Sequence, residues 1–148
     1  MGIRIYLDIN YKNNSKIHKG LAVKIRIYYE DTDLGGVVYH TNYIKYCERA
    51  RSEIFFQNGT SPIIDEAHFV VRKLECDFLA PAKFGDTIEV VTKIQKIQKA
   101  SFVLYQEIQR DNKILFYTTV TLVLVKNNKI KRLDNTLIDY LSKLFENK

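Results

Sequence analysis

The feature that most constrains this chain is a change of period along it. Tyr43, Tyr46, Cys47, Ala50 and Ile54 recur at helical spacing while Lys45, Arg49 and Ser52 fall on other faces, so a single amphipathic helix is predicted from about His40 to Asn58. Asn58-Gly59 supplies its C-terminal stop. Beyond that stop the chain keeps a period of two. His68 to Leu79 reads as a strand closed by Ala80-Pro81. After Gly85, alternation runs through Ile88, Val90, Thr92 and Ile94, then Phe102, Leu104 and Ile108, then Phe116, Val120, Leu122 and Leu124. Turns fall near Gln98-Lys99-Ala100 and Asp111-Asn112, and long strands joined so tightly pair antiparallel.

Ahead of the helix, Ala22 to Tyr29 sets Val23, Ile25, Ile27 and Tyr29 against Lys24 and Arg26, the pattern of a half-buried strand with Tyr29 on the apolar face. Behind the sheet, Asp134-Asn135 offers N-cap residues for a closing helix whose stripe is Leu137, Leu141, Leu144 and Phe145. Strand, helix, four strands and helix make an α+β domain, an antiparallel sheet wrapped around one long helix. One helix covers one sheet face. Because Leu115, Val123 and Val125 add apolar residues on the other parity of the last strand, the second face is expected to meet another subunit in a homodimer or homotetramer.

At 148 residues the chain has the size of one domain, able to hide about 70% of its unfolded surface without staples. Residues 21–148 read as that domain and residues 1–20 as an extension of unknown role. Cys47 and Cys76 form no paired motif, which suits a reducing cytoplasm. No apolar run reaches the roughly 18 residues of a membrane span, and the N-terminal segment lacks a signal peptide's apolar middle. The net charge of +6 favours anionic partners in general and selects none.

Familiar catalytic motifs are missing: there is no Gly-x-Ser-x-Gly elbow, no His-Glu-x-x-His, no phosphate loop and no dinucleotide fingerprint. The loop from Asp31 to Asn42 superficially matches a calcium loop, but Gly35 and Asn42 stand where ligands are required. What remains is a concentration of polar groups between the first strand and the helix: Tyr29, Glu30, Asp31, Asp33, Tyr39, His40, Asn42 and Tyr43, with Gly35 and Gly36 among them. Acids ahead of a helix also suit its dipole, so on local grounds alone a structural role and a catalytic one stand equal.

The run Tyr28-Tyr29-Glu30-Asp31-Thr32-Asp33-Leu34-Gly35-Gly36-Val37-Val38-Tyr39-His40, continued by Asn42-Tyr43 and Glu48-Arg49-Ala50-Arg51-Ser52-Glu53, resembles the signature of the YbgC-like acyl-CoA thioesterases, in the 4-hydroxybenzoyl-CoA thioesterase branch of the hot-dog fold. The likeness extends through Phe69 to Lys73, Leu79 to Ala82 and Gly85-Asp86, and covers roughly residues 22–148. It implies a sheet curled around a central helix and hydrolysis of acyl-CoA without metal or bound cofactor, coenzyme A being part of the substrate. It also places the catalytic aspartate on Asp33 and a second catalytic residue, at the helix entrance, on His40, with main-chain N–H groups at the helix start holding the carbonyl oxygen. His40 is expected to donate to that carbonyl, orient a water or protonate the departing sulfur, or else merely to cap the helix.

Elementary chemistry suits those roles. An aspartate with a reference pKa of about 3.9 is ionised at neutral pH, and unpaired amides at a helix start favour a developing oxyanion. Tyr29 is expected either to position the Asp33 carboxylate or to serve as a core tyrosine. Val38, Tyr43, Val70 and Val71 are expected to wall the acyl pocket. Gly36 and Tyr39 should border the thioester, and Arg72, with Lys73, Lys83 and Lys99, should face the coenzyme A phosphates. Glu48 is expected either to reach the site or, as a structural ion pair, to bond Arg51 or Arg72, and Asp31 is expected to be a loop or helix-entry acid. Acyl carrier protein is an alternative thioester donor, and DNA is not an expected partner. Competing readings are a non-catalytic basic module binding acyl carrier protein, nucleic acid or envelope proteins, and a hot-dog dehydratase.

Overall fold

The computed structural model describes residues 21–146; the extension expected at residues 1–20 lies outside the described residues. β1 (Leu21–Arg26) pairs antiparallel with β4 (Thr87–Ile97). β5 (Phe102–Arg110), β6 (Lys113–Lys126) and β3 (Ala67–Phe78) continue the sheet in the order β1-β4-β5-β6-β3, all antiparallel. Two short strands were invisible to a period reading: β2 (Ile63–Ile64) against β3 and β7 (Lys129–Lys131) against β6. Two or three residues are too few to show alternation. The hairpin turns at Asp111-Asn112 and Asn127-Asn128 put both central residues at positive φ, which short polar side chains tolerate and which matches the strand twist.

α1 (His40–Gln57) buries Tyr43, Tyr46, Cys47, Ala50 and Ile54 as its spacing predicts. It stops where Asn58 Nδ2 donates to the Ile54 carbonyl at 2.7 Å and Gly59 takes a φ of +72°. α1 lies in the curl of the sheet, and its core divides along its length. The entrance half joins Tyr43, Tyr46, Cys47 and Ala50 to Ile27, Ile88, Val90, Ile108 and Phe116. The far half joins Ile54 and Phe55 to Phe102, Leu104, Val120 and Leu124, and is closed by α2 (Asn135–Phe145) through Leu137, Leu141, Leu144 and Phe145. Asp134 caps α2, its Oδ1 accepting the Leu137 amide at 2.8 Å.

Two sequence expectations are corrected. Leu115 does not face outward: Ile108 pairs with Phe116 and Gln109 with Ile114, so Leu115 is an extra bulged residue that turns inward beside Phe116. The outer face of β5 is a polar network, not an apolar wall, with Tyr105 Oη donating to Glu107 at 2.8 Å and Lys93 5.1 Å from the Tyr105 ring centre. The first strand also ends earlier than predicted. Asp31 Oδ2 accepts the Tyr28 amide at 2.7 Å, and this side-chain bond converts Tyr29–Asp31 into a 3-10 turn in place of further strand.

Candidate active site

Asp31 and Asp33 stand two residues apart and have opposite environments. Asp31 is 8% exposed. Its carboxylate closes the 3-10 turn, and its carbonyl accepts both the Tyr39 amide and Asn42 Nδ2 at 2.9 Å, fastening the loop to the start of α1. Asp33 is exposed at the loop's tip. There Asp33 N donates to the Val37 carbonyl at 2.8 Å, Gly36 N donates back to the Asp33 carbonyl at 3.0 Å, and the Gly35 amide donates to Asp33 Oδ1 at 2.8 Å. Gly36 needs its φ of +78° for that turn. At Gly35 a Cβ would stand 3.2 Å from Asp33 Oδ1, so the absent side chain is what gives the carboxylate its place.

The loop's return strand is held from below. Val38 N donates to the Ala82 carbonyl at 2.9 Å, Val37 bridges Lys83, and Lys83 N donates to Asp86 Oδ2 at 2.8 Å. Arg110 Nη1 donates to the same oxygen at 2.6 Å. Burial would raise the Asp86 carboxyl, but the Lys83 amide and the Arg110 guanidinium outweigh it and hold the group below its ordinary value.

α1 begins without a side-chain cap, since the Tyr39 side chain makes no capping bond. Of its leading amides, Tyr39 N donates to Asp31 and Asn42 N to the Tyr39 carbonyl. The His40 and Thr41 amides have no acceptor among the described residues. The exposed His40 ring lies 4.7 Å from the Tyr39 ring centre and 6.2 Å from that of Phe78, at the end of β3.

The predicted site residues therefore separate. Asp33, Gly36, Tyr39 and His40 share the loop and helix entrance. Tyr29 does not belong to the strand face or to the core: it is 82% exposed, and its ring lies 4.7 Å from that of Phe84. Val38 and Tyr43 are each 4% exposed and serve the core, Tyr43 Oη accepting the Ala82 amide at 3.0 Å while its ring stacks on Phe116. Burial raises the Tyr43 phenol, the Ala82 amide opposing it. Val70 and Val71 are exposed on β3, and Arg72 sits at a β-bulge beside them. Lys99, whose carbonyl accepts the Leu133 amide, lies by the start of α2 and away from the loop. Glu48 forms no ion pair among the described residues; it accepts a bond from Ser52 Oγ at 2.8 Å. Cys47 is no nucleophile, because burial pushes its thiol up to about 12.

Asp31, expected as a loop or helix-entry acid, fastens the loop; two features escaped the sequence reading, the Tyr29–Phe84 contact and a polar link from Arg51 to Gln106 through the sheet interior. Fully buried Gln106 in an otherwise apolar run was the visible signal for the last. Among the described residues no three His, Cys, Asp or Glu side chains gather as a metal site, and no helix is long and apolar enough to cross a membrane.

An antiparallel sheet, seven-stranded among the described residues and curled around one long helix, is the hot-dog fold. The probable thioesterase of Bartonella henselae has it, at a TM-score of 0.73 and 31% identity over 78% of this chain and 99% of that one. The thioesterase superfamily model matches residues 35–116, more than half of the chain, and the chain belongs to that superfamily. The matched span opens at Gly35, so Asp33 stands just outside it. Acyl-CoA thioesterase YbgC of Helicobacter pylori is 51% identical over 86 residues, 58% of this chain, and the match spans 65% of that relative's length. Acyl-CoA thioester hydrolase YbgC of Escherichia coli is 39% identical over 111 residues, 72% of this chain and 83% of the relative.

Proposed function

We propose that this chain hydrolyses acyl-CoA thioesters to a free acid and coenzyme A, with Asp33 as the catalytic carboxylate. The observation that carries the reading is an exposed carboxylate, oriented by the Gly35 amide, on the loop that leads into a helix without a side-chain cap, whose His40 and Thr41 amides have no acceptor among the described residues. Asp33 attacks the thioester carbonyl carbon, the C–S bond breaks, and the thiolate leaves and takes a proton. Water then splits the acyl-aspartyl anhydride, returning Asp33 and releasing the acid. In the general-base variant Asp33 instead removes a proton from the attacking water. Both routes put negative charge on the carbonyl oxygen, where the free amides stabilise it. A thiolate, with a thiol pKa of about 8.5 by analogy with cysteine, leaves readily enough for a carboxylate to suffice.

The working unit is a homo-oligomer. From Phe69 to Phe78 one side of β3 has no strand partner among the described residues, and Val70 and Val71 on that strand are 41% and 46% exposed. A long open edge of this kind pairs with its own copy. Antiparallel pairing sets the Phe78 end of one β3, beside His40, along the His68–Val71 end of the other. Arg72 and Lys83 then serve the coenzyme A phosphates, acyl carrier protein is a second donor suited to the basic charge, and the free thiols Cys47 and Cys76 fit a cytoplasmic location. Thiol release from a panel of acyl-CoAs tests the reaction. Release by the native protein that vanishes in Asp33→Asn and Asp33→Ala supports it, and undiminished release in both rejects Asp33. Single turnover in oxygen-labelled water, with label sought in Asp33, separates the two routes.

A further inference from the structure

Gln106 is fully buried on β5 and faces α1. Its Nε2 donates to the Cys47 carbonyl and to Thr92 Oγ1, both at 2.9 Å. The carbonyl accepts and cannot donate, so the amide orientation is fixed and Oε1 must point the other way, where it accepts Arg51 Nη1 at 2.9 Å. The link holds Arg51 at the edge of a cavity of about 230 Å³ whose walls include Phe55, Phe69, Phe102 and Phe145.

A guanidinium carries five N–H donors, and the Gln106 bond uses one. No carboxylate among the described residues forms an ion pair with Arg51. Glu48, on the same cavity, is exposed and bonded to Ser52. Burial disfavours the Arg51 charge, and the nearby Glu48 carboxylate offsets this only in part. An aromatic cavity with a fixed cation that no carboxylate bonds directly among the described residues therefore asks for an occupant that is apolar along its length and accepting at its end.

We propose that Arg51 determines acyl specificity, the cavity taking an acyl group whose far end carries an accepting oxygen, a carboxylate above all. This rests on the thioesterase reading and on the β3 pairing that brings one copy's His40 end to the other's His68–Val71 end; Val71 and His68 line the cavity. A plain alkyl chain would displace water from Arg51 and return no acceptor, which is how a polar site rejects an analogue lacking the polar group.

The test compares hexanoyl-CoA with adipoyl-CoA, which differ only in a terminal methyl against a carboxylate. The native protein is expected to favour adipoyl-CoA in kcat/KM by about tenfold or more. Arg51→Met should reverse the order, and Arg51→Lys should keep part of it. A purely structural arginine would lower the melting temperature and both rates together, leaving the ratio alone. Equal or better turnover of hexanoyl-CoA by the native protein, or an unchanged ratio in Arg51→Met, overturns the proposal; if Arg51→Met does not fold, an undiminished ratio in Arg51→Lys does so. Calorimetric binding to Asp33→Asn protein keeps the two readings apart. Tighter binding of adipoyl-CoA that Arg51→Lys weakens supports the cavity's role even if no thioester is cleaved, and equal binding of both ligands rejects it.

Discussion

The two halves of α1 place their polar groups in opposite ways. At the entrance the groups proposed for the chemistry are outside: Asp33 and His40 are exposed, the His40 and Thr41 amides have no acceptor among the described residues, and the interior beneath them is mainly aromatic and aliphatic. In the far half the polar link from Thr92 through Gln106 to Arg51 runs inside, with aromatic side chains around its outer end. The first arrangement leaves a charged group free to meet a reacting bond. The second fixes a charged group where solvent is scarce, which suits recognition more than chemistry. Substitutions of the exposed entrance groups should therefore change rate at constant stability, and substitutions of the apolar far-half core should change stability at constant rate.

Asp33→Asn gives the largest separation. Loss of the carboxylate should reduce kcat by about 100- to 10,000-fold. Stability should stay within the range of an ordinary surface change, about ±0.5 kcal/mol, because Asp33 is exposed and, among the described residues, its side chain is bonded to Gly35 alone. Steady-state thiol release and calorimetry on the same preparation check both halves. A large loss of stability would mean that Asp33 is a structural acid after all.

Leu141→Ala is the converse. Leu141 is fully buried in the far cluster, and removing its branched end should destabilise the protein by about 2–5 kcal/mol through lost transfer energy and a residual cavity. Turnover per folded molecule should stay within about twofold, since Leu141 packs in the far cluster and not in the one beneath the Asp33 loop, and distant sites act additively. Urea denaturation followed by thiol release below the transition measures this. A parallel fall in kcat would show that the two halves are coupled.

The contrast also explains what could be read in advance. Period alone located α1, the long strands and α2, because burial of one face imposes a repeat on every long element. It failed at Tyr29 and Leu115, where one local hydrogen bond and one bulge break the repeat without altering composition. At the site, the resemblance picked out Asp33 among Glu30, Asp31 and Asp33, which look alike as letters. Only tertiary geometry separates them, by burying Asp31, which accepts hydrogen bonds from Tyr28, Tyr39 and Asn42, and leaving Asp33 outside. Val38 and Tyr43 misled for a related reason: residues beside a site are apolar whether they wall a pocket or fill the core beneath it.

Gly35→Ala sharpens the comparison within the entrance itself. The added methyl would stand 3.2 Å from Asp33 Oδ1, so the carboxylate must move by some tenths of an ångström while little else changes. Displacements of about 1 Å in a reacting group cost on the order of 100-fold; here about tenfold in kcat is expected, with KM and melting temperature nearly unaltered. An unchanged kcat would show that the Asp33 position held by the Gly35 amide is not the reactive one.

The smallest expected effect is a pH dependence beneath the loop. Asp86 is held below its ordinary value by the Lys83 amide and Arg110 against the opposing effect of burial, and its side chain is one quarter exposed. Because the folded group titrates lower than the unfolded one, the unfolded chain binds more protons between the two values, and stability there rises with pH. The contribution is fully present above the unfolded value of about 3.9 and is lost as pH falls through the folded value. Asp86→Asn should therefore lower stability at neutral pH by about 1 kcal/mol, after allowing for solvent screening, and the gap from the native protein should close as pH falls below about 3.9. Urea midpoints across that range give the answer. A gap that persists at the acid end would mean that Asp86 acts through shape and not charge, and that the floor of the Asp33 loop, like the far half of α1, is held by packing.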